Sequence, residues 1–303
     1  MTTSTTLFIG SHLSTGGGWD ALLKRSHDEG GTTFAFFPRS PYGKPSKSLT
    51  ADGAADFARQ LIAERYGPLV AHAPYVYNLA AKDDAKREFA VHALAEDLRL
   101  LAPIRAAGQM IYLNIHPGSH VGQGAEEGCR LIADGLNRVL DLLTDTLDGA
   151  TGDLTGNGDG VPILLETMAG KGTECGRTFE ELATIIGRVD DAANLGVTMD
   201  TCHVFDAGYD LLHDFDGVLR KLDDVIGLDR VKAIHANDSQ FGFDSHKDRH
   251  ANIGEGQLGL EFFRQLMNDP RTNTLPMILE TKEQIPTTHR DEIALLRSLR
   301  ADS

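Results

Sequence analysis

Short apolar runs alternate with longer amphipathic stretches along the whole chain. The runs are TLFIGSH, TTFAFF, PLVAHA, MIYLNIH, PILLE, GVTMD, VKAIHAND and PMILET. Each is brief, rich in Val, Ile, Leu and Phe, and continuous rather than alternating, the pattern of parallel strands buried on both faces. Helical stripes lie between them. Ala54, Phe57, Ala58, Leu61 and Ile62 recur at i, i+3, i+4, i+7 and i+8. Ala90, Leu94, Leu98 and Leu101 mark the next helix, which Gly108 is expected to end at its C′ position. Thr178 and Glu181 are spaced as a capping box ahead of LATIIGRV, and Gly196 is expected to mark the stop before the sixth strand. Eight such units predict one α/β domain over 1–303, a single (β/α)8 TIM barrel. An open doubly wound sheet is the alternative. The Gly-rich turn GSHLSTGGGWD follows the first strand but is not the G-x-G-x-x-G phosphate fingerprint. The Gly- and Asp-rich segment Asp148–Gly160 reads as a flexible surface insertion whose spacing does not fit an EF-hand.

In such a barrel, working residues come from the C-terminal ends of strands. LVAH ends in His72, LNIH in His116, ILLE in Glu166, VTMD in Asp200, KAIH in His235 and MILE in Glu280. One of these alone would be an ordinary cap or loop residue. Six on one rim are hard to attribute to capping, and carboxylates so crowded titrate upward unless cations neutralise them. The rim therefore implies metal. His203 follows Asp200 by three residues, and DRH places Asp248, Arg249 and His250 in the loop after the seventh strand. In an extended segment Asp248 and His250 face one way. Nine nitrogen and oxygen ligands are too many for one ion and suit three. A His-rich set without thiolate favours Zn2+, with Mn or Fe as occasional substitutes. His12 and His120 read as supports, and Cys202 as a small buried residue.

Composition narrows the setting. With 303 residues and 41% hydrophobic content, the chain can bury a large core. A net charge of −15 argues against a basic DNA-coating or membrane-surface protein, although a local metal cluster can invert the field at one site. Three cysteines without a CxxC pair suit a reducing, cytoplasmic setting. Neither a signal peptide nor a membrane span is expected. Monomer is the default, since no heptad or edge-strand signal argues for assembly.

The stretches GSHLSTGGG, HPGSH (116–120), LETMAGKG, MDTCHVFDAGYD, IHANDS, DRHANIGEG and MILET carry a resemblance. Together, over residues 8 to 281, the chain resembles endonuclease IV, the zinc-dependent apurinic/apyrimidinic endonuclease of base-excision repair. The resemblance implies that His72, His116 and Glu166 hold a first zinc. Glu166 would bridge to a second held by Asp200, His235 and Glu280, while His203, Asp248 and His250 hold a third, where Mn or Fe is also possible. A hydroxide between the first two ions would attack, with Glu280 orienting or deprotonating it; Glu166 and Glu280 are thus the catalytic carboxylates. The implied partner is double-stranded DNA with abasic or 3′-blocked lesions, cut 5′ to the abasic site. Cleavage would leave a 3′-hydroxyl and a 5′-deoxyribose phosphate. Four carboxylates do not cancel three divalent ions, so an acidic protein would still attract a phosphate at this rim. Action would be intracellular, at the nucleoid. Tyr75 matches an aromatic residue that the family inserts at the lesion. The loop FFPRSPYGKPSK departs from the family's Asn-Gln-Arg or Asn-Pro-Arg turn; either Tyr42, by stacking, or Arg39, by holding a phosphate, would take its place, and the alternative is a Pro-stiffened surface turn. Arg249, between Asp248 and His250, would face away or toward a phosphate. Two other readings stand beside this one: a metal-dependent sugar isomerase or epimerase on the same barrel, and a non-catalytic lesion-binding protein.

Overall fold

The structure is a computed structural model that describes residues 7–144, 160–283 and 287–301. Eight parallel strands close a barrel: β1 Ile9–Leu13, β2 Ala35–Phe36, β3 Leu69–His72, β4 Ile111–Ile115, β5 Ile163–Glu166, β6 Leu195–Asp200, β7 Val231–His235 and β8 Met277–Leu279. Spatial order follows chain order, and β8 pairs with β1 to shut the ring. The eight apolar runs of the sequence are these eight strands. Among the described residues no helix is long and apolar enough to cross a membrane.

Period two along the strands builds the site from below. Ala35, Val70, Tyr112, Leu164, Ala233 and Ile278 pack together inside the barrel. Val70, Leu164, Ala233 and Ile278 each lie two residues before His72, Glu166, His235 and Glu280. Alternate residues of a strand share a face, so an apolar plug forms the floor and the polar ends stand directly above it. Two larger apolar clusters fill the space between barrel and helices.

The helices are α1 Gly18–Glu29, α2 Ala51–Ala63, α3 Asp84–Ala106, α4 Ala125–Thr144, α5 Phe179–Ile186, α6 Thr201–Asp206, α7 Phe215–Val225, α8 Gly259–Asn268 and α9 His289–Ser298. The α2 stripe is buried through Leu61, whereas Ile62 is exposed at its edge. Gly108 is left-handed, and its N–H donates to the Arg105 carbonyl at 2.9 Å, the expected close of α3.

Two local expectations are corrected. Thr178 caps α5 by accepting from the Glu181 N–H, but Glu181 Oε2 accepts from the N–H groups of Gly176 and Arg177 instead of completing the box. A reciprocal box forms at Thr288 and Asp291. Gly196 lies inside β6 rather than before it. A Cβ there would come within 2.9 Å of the carbonyl oxygen of Arg230, the residue before β7, so the position needs glycine for this close backbone approach. The expectation for Asp148–Gly160 falls outside the described residues, Gly160 apart.

Candidate metal centre

The strand-end residues meet on one rim. His72, Glu166, Asp200 and His235 are wholly buried at the tips of β3, β5, β6 and β7, and His116 and Glu280 directly follow β4 and β8. Glu166 is central. Its Oε2 lies 3.2 Å from His72 Nε2 and 3.3 Å from His116 Nε2, and its Oε1 lies 3.0 Å from His235 Nδ1. His235 Nδ1 is also 3.2 Å from Glu280 Oε2 and 4.0 Å from Asp200 Oδ2. Beside them, His203 Nε2 is 3.1 Å from Asp248 Oδ1, and His250 Nε2 is 3.8 Å from the same oxygen and 3.7 Å from Asp200 Oδ2.

Several overlapping groups on the rim have ligand atoms all within 4.8 Å of one another, and three of them match the expected sets: His72, His116 and Glu166; Glu166, Asp200, His235 and Glu280; His203, Asp248 and His250. Bonds of about 2.0–2.2 Å in a tetrahedron put ligand atoms about 3.3–3.6 Å apart, slightly more than the 3.0–3.3 Å spacing around Glu166. His250 Nε2 is buried without a hydrogen-bond partner and faces Asp200 and Asp248. A desolvated imidazole nitrogen aimed at two carboxylates fits a metal ligand better than a packing residue. Cys202 approaches Asp200 and His250, but its thiol donates to the Arg249 carbonyl at 3.7 Å and burial pushes its pKa up. The thiolate is the ligand form, and burial disfavours it here.

The surroundings orient these side chains. A carbonyl only accepts, so His72 Nδ1–H donates to Ala73 at 2.8 Å and His203 Nδ1–H to Thr167 at 2.9 Å. Each Nε2 is thereby turned toward the carboxylates. Asn114 donates to Glu166 Oε2 at 2.6 Å. Asn237 donates to Asp200 Oδ2 at 2.7 Å and accepts the Glu280 N–H at 2.9 Å. These two asparagines were missed in the sequence. The signal was there: each stands two positions from a strand-end histidine, Asn114 before His116 and Asn237 after His235, where a strand's period places side chains on one face.

The rim calls for positive charge. Burial alone would raise Glu166, but His235 and His116 outweigh it and hold the carboxyl well below the usual range. Burial pushes Asp200 up against the attraction of His203 and His250. Burial would lower the two imidazoles, yet Asp200 lifts His203 and Glu280 lifts His235 well above the ordinary histidine value.

A cleft of about 660 Å³ opens over the rim, lined among others by Tyr75, His116, Lys171, His203, Arg249 and Glu280. Tyr75 is 64% exposed with its ring 4.8 Å from that of His116. Tyr42 is 84% exposed at the tip of a turn closed by the Gly43 N–H on the Ser40 carbonyl. Arg249 is exposed and bonds the Asp248 carbonyl at 2.8 Å. Arg39 corrects the expectation of a phosphate contact. It is only 6% exposed and points inward, 2.5 Å from Asp97 Oδ1 and 2.6 Å from Glu96 Oε2. Its task is to tie the second-strand loop to α3. Asp248 and His250 do converge, but not through an extended segment, because Asp248 is left-handed at φ 51°.

Comparison with known proteins agrees with the geometry. The family model for the xylose isomerase-like TIM barrel matches residues 23–299. The chain is 70% identical to the probable endonuclease 4 of Bifidobacterium longum strain NCC 2705, covering 97% of this chain and 98% of that protein. It is 42% identical to the probable endonuclease 4 of Methanosphaera stadtmanae, covering 96% and 98%. Among solved structures, endonuclease IV from Thermus thermophilus superposes with a TM-score of 0.79 at 31% identity, over 96% of this chain and 98% of that one. A D-tagatose 3-epimerase-like protein shares the fold at 18% identity and a TM-score of 0.67. The chain belongs to the endonuclease IV family, within the xylose isomerase-like TIM barrels.

Proposed function

We propose that this chain is an apurinic/apyrimidinic endonuclease. It hydrolyses the phosphodiester 5′ to an abasic site in double-stranded DNA, leaving a 3′-hydroxyl and a 5′-deoxyribose phosphate, and trims blocked 3′ ends. The observation that carries the reading is the set of three adjoining ligand groups at the floor of one open cleft. The endonuclease names of its relatives support the same reading. His72, His116 and Glu166 would hold one Zn2+, Glu166, Asp200, His235 and Glu280 a second, and His203, Asp248 and His250 a third ion, with Mn or Fe as alternatives there. Such ions would make water nucleophilic at neutral pH and neutralise charge on the leaving oxygen.

The chain's own groups do the rest. Glu166 offers one oxygen to each of the first two sets. Glu280 borders the same two sets and reaches the cleft, where it orients the attacking water. Asn114 and Asn237 stop the carboxylates from rotating. Tyr75 fills the gap left by the missing base, since an abasic nucleotide costs little to unstack. Tyr42 stacks from the second-strand loop, and Arg249 meets a phosphate. The third set is more than a one- or two-ion sugar epimerase needs, which disfavours that reading. The enzyme works as an intracellular monomer.

Incision of a duplex carrying one tetrahydrofuran abasic analogue tests the proposal. Nicking is expected without added magnesium, lost after prolonged chelation and regained with zinc. Zinc-replete protein that leaves the duplex intact would refute it.

A further inference from the structure

We infer that Asp206 and Lys171 are positioning residues that hold Asp248 in the orientation its metal set requires. The inference rests on the reading that His203, Asp248 and His250 hold an ion. Neither Asp206 nor Lys171 belongs to the three sets described above, and the sequence singled out neither.

The loop carrying Asp248 has an unfavourable backbone. Asp244, His246 and Asp248 are all left-handed, at φ 59°, 53° and 51°. Three non-glycine residues in that region within five positions persist only where the surroundings over-determine them. Here the end of α6 does so. The Asp244 N–H donates to the Phe205 carbonyl at 3.2 Å, and the His246 N–H to the Asp206 carbonyl at 3.0 Å. The Asp248 N–H donates to the Asp206 carboxylate, Oδ2, at 2.9 Å. A helix end leaves carbonyls without intrahelical partners, and this loop supplies them.

Helix α6 thus joins two ligand sources. Asp200 caps its start by accepting the His203 N–H at 2.7 Å, and His203 points from its first turn. Its last residue, Asp206, grips the backbone of Asp248. Asp206 is wholly buried, and its other oxygen accepts from the Ser239 hydroxyl at 2.7 Å. Removing the carboxylate would leave the Asp248 N–H without this acceptor, whereas the Ser239 hydroxyl can still turn to the Phe241 carbonyl, 3.0 Å away.

Lys171 provides the second grip. Its Nζ lies 3.0 Å from Asp248 Oδ2, while Asp248 Oδ1 faces His203 at 3.1 Å. The two oxygens are therefore divided between a fixed cation and the ligand set. His246 Nδ1–H donates to the Ala169 carbonyl at 2.8 Å and ties the loop to the segment that carries Lys171. Lys171 is half-exposed, so its grip is the weaker one.

The test is metal affinity, which needs no DNA. Zinc stoichiometry and chelator competition are measured on the full chain as wild type, Asp206→Ala, Asp206→Asn and Lys171→Met. Asp206→Ala is expected to weaken the most labile ion by about 10- to 100-fold, as for lost partners of metal ligands, and leave the other two in place. Asp206→Asn keeps an acceptor for the Asp248 N–H and is expected to restore most of the affinity. Lys171→Met is expected to weaken the same ion a few-fold; being a surface change, it carries the test alone if Asp206→Ala does not fold. Wild-type affinity for all ions in both Asp206→Ala and Lys171→Met would overturn the inference, as would equal weakening of every ion. Failure of the wild type to nick abasic DNA would overturn the functional reading instead, and the metal titration does not depend on it.

Discussion

Replacing Arg39 by Met separates a structural role from a DNA-contacting one. The Asp97 side chain is 2% exposed and, among the described residues, keeps only the Tyr77 hydroxyl, 2.9 Å away, as a donor once the guanidinium is gone. Removing one partner of a buried ion pair costs about 3–5 kcal/mol. The surviving tyrosine bond favours the lower end, and the exposed Glu96 adds little. A loss of about 3 kcal/mol lowers Tm by roughly 5–10 °C in a chain of this size. The loss should depend on pH. Burial, opposed by Arg39, pushes Asp97 up from its ordinary 3.8 to about 6. With the folded value above the unfolded one, stability linked to this proton is full below about 3.8 and is lost as pH rises through about 6. Without Arg39 the folded value rises further, so the deficit is largest at neutral pH and narrows near pH 5. Thermal unfolding of wild type, Arg39→Met, Asp97→Asn and the double variant measures this, and the double variant should recover part of the deficit. An unchanged Tm together with weaker DNA binding and a shallower salt dependence would refute the reasoning and return Arg39 to the DNA surface.

Glu166→Gln takes away the carboxylate shared by two ligand sets; metal analysis is expected to show loss of more than one ion, with incision falling below detection. Tyr75→Ala is expected to cost about 1–3 kcal/mol of preference for abasic over intact duplex, the scale of one stacking contact, as read by fluorescence anisotropy on the two duplexes. Arg249→Ala is expected to weaken binding to both duplexes alike and to reduce the slope of log K against log salt by about 1; a preference that changes while the slope stays constant would contradict a phosphate contact.

Much of the barrel and rim was legible because both follow from the strand period. A run such as ILLE names its strand and its functional end at once, since Glu166 terminates it over the buried Leu164. Asn114 and Asn237 were missed although the same period sets them beside strand-end histidines, because nothing local revealed that they would hold Glu166 and Asp200. Loop residues were harder to read. Arg39 finds Asp97 58 positions away, so an inward-facing arginine and a phosphate ligand look alike in FFPRSPYG. Asp248 reaches its set through a left-handed backbone that DRH does not signal, and Asp206, which helps to hold it there, looks like an ordinary helix-end aspartate. Such placements depend on contacts between distant segments, which periodicity does not encode.

The central claim is hydrolysis 5′ to an abasic site by the metal-binding rim. Mapping both ends of the nick in an end-labelled duplex with a single natural abasic site tests it most directly. The expected result is a cut on the 5′ side of the lesion, with a 3′-hydroxyl that a polymerase extends and a 5′-deoxyribose phosphate. A cut on the 3′ side that leaves an unsaturated aldehyde and survives chelation would mean elimination through an amine such as Lys171 rather than hydrolysis, and would contradict the claim.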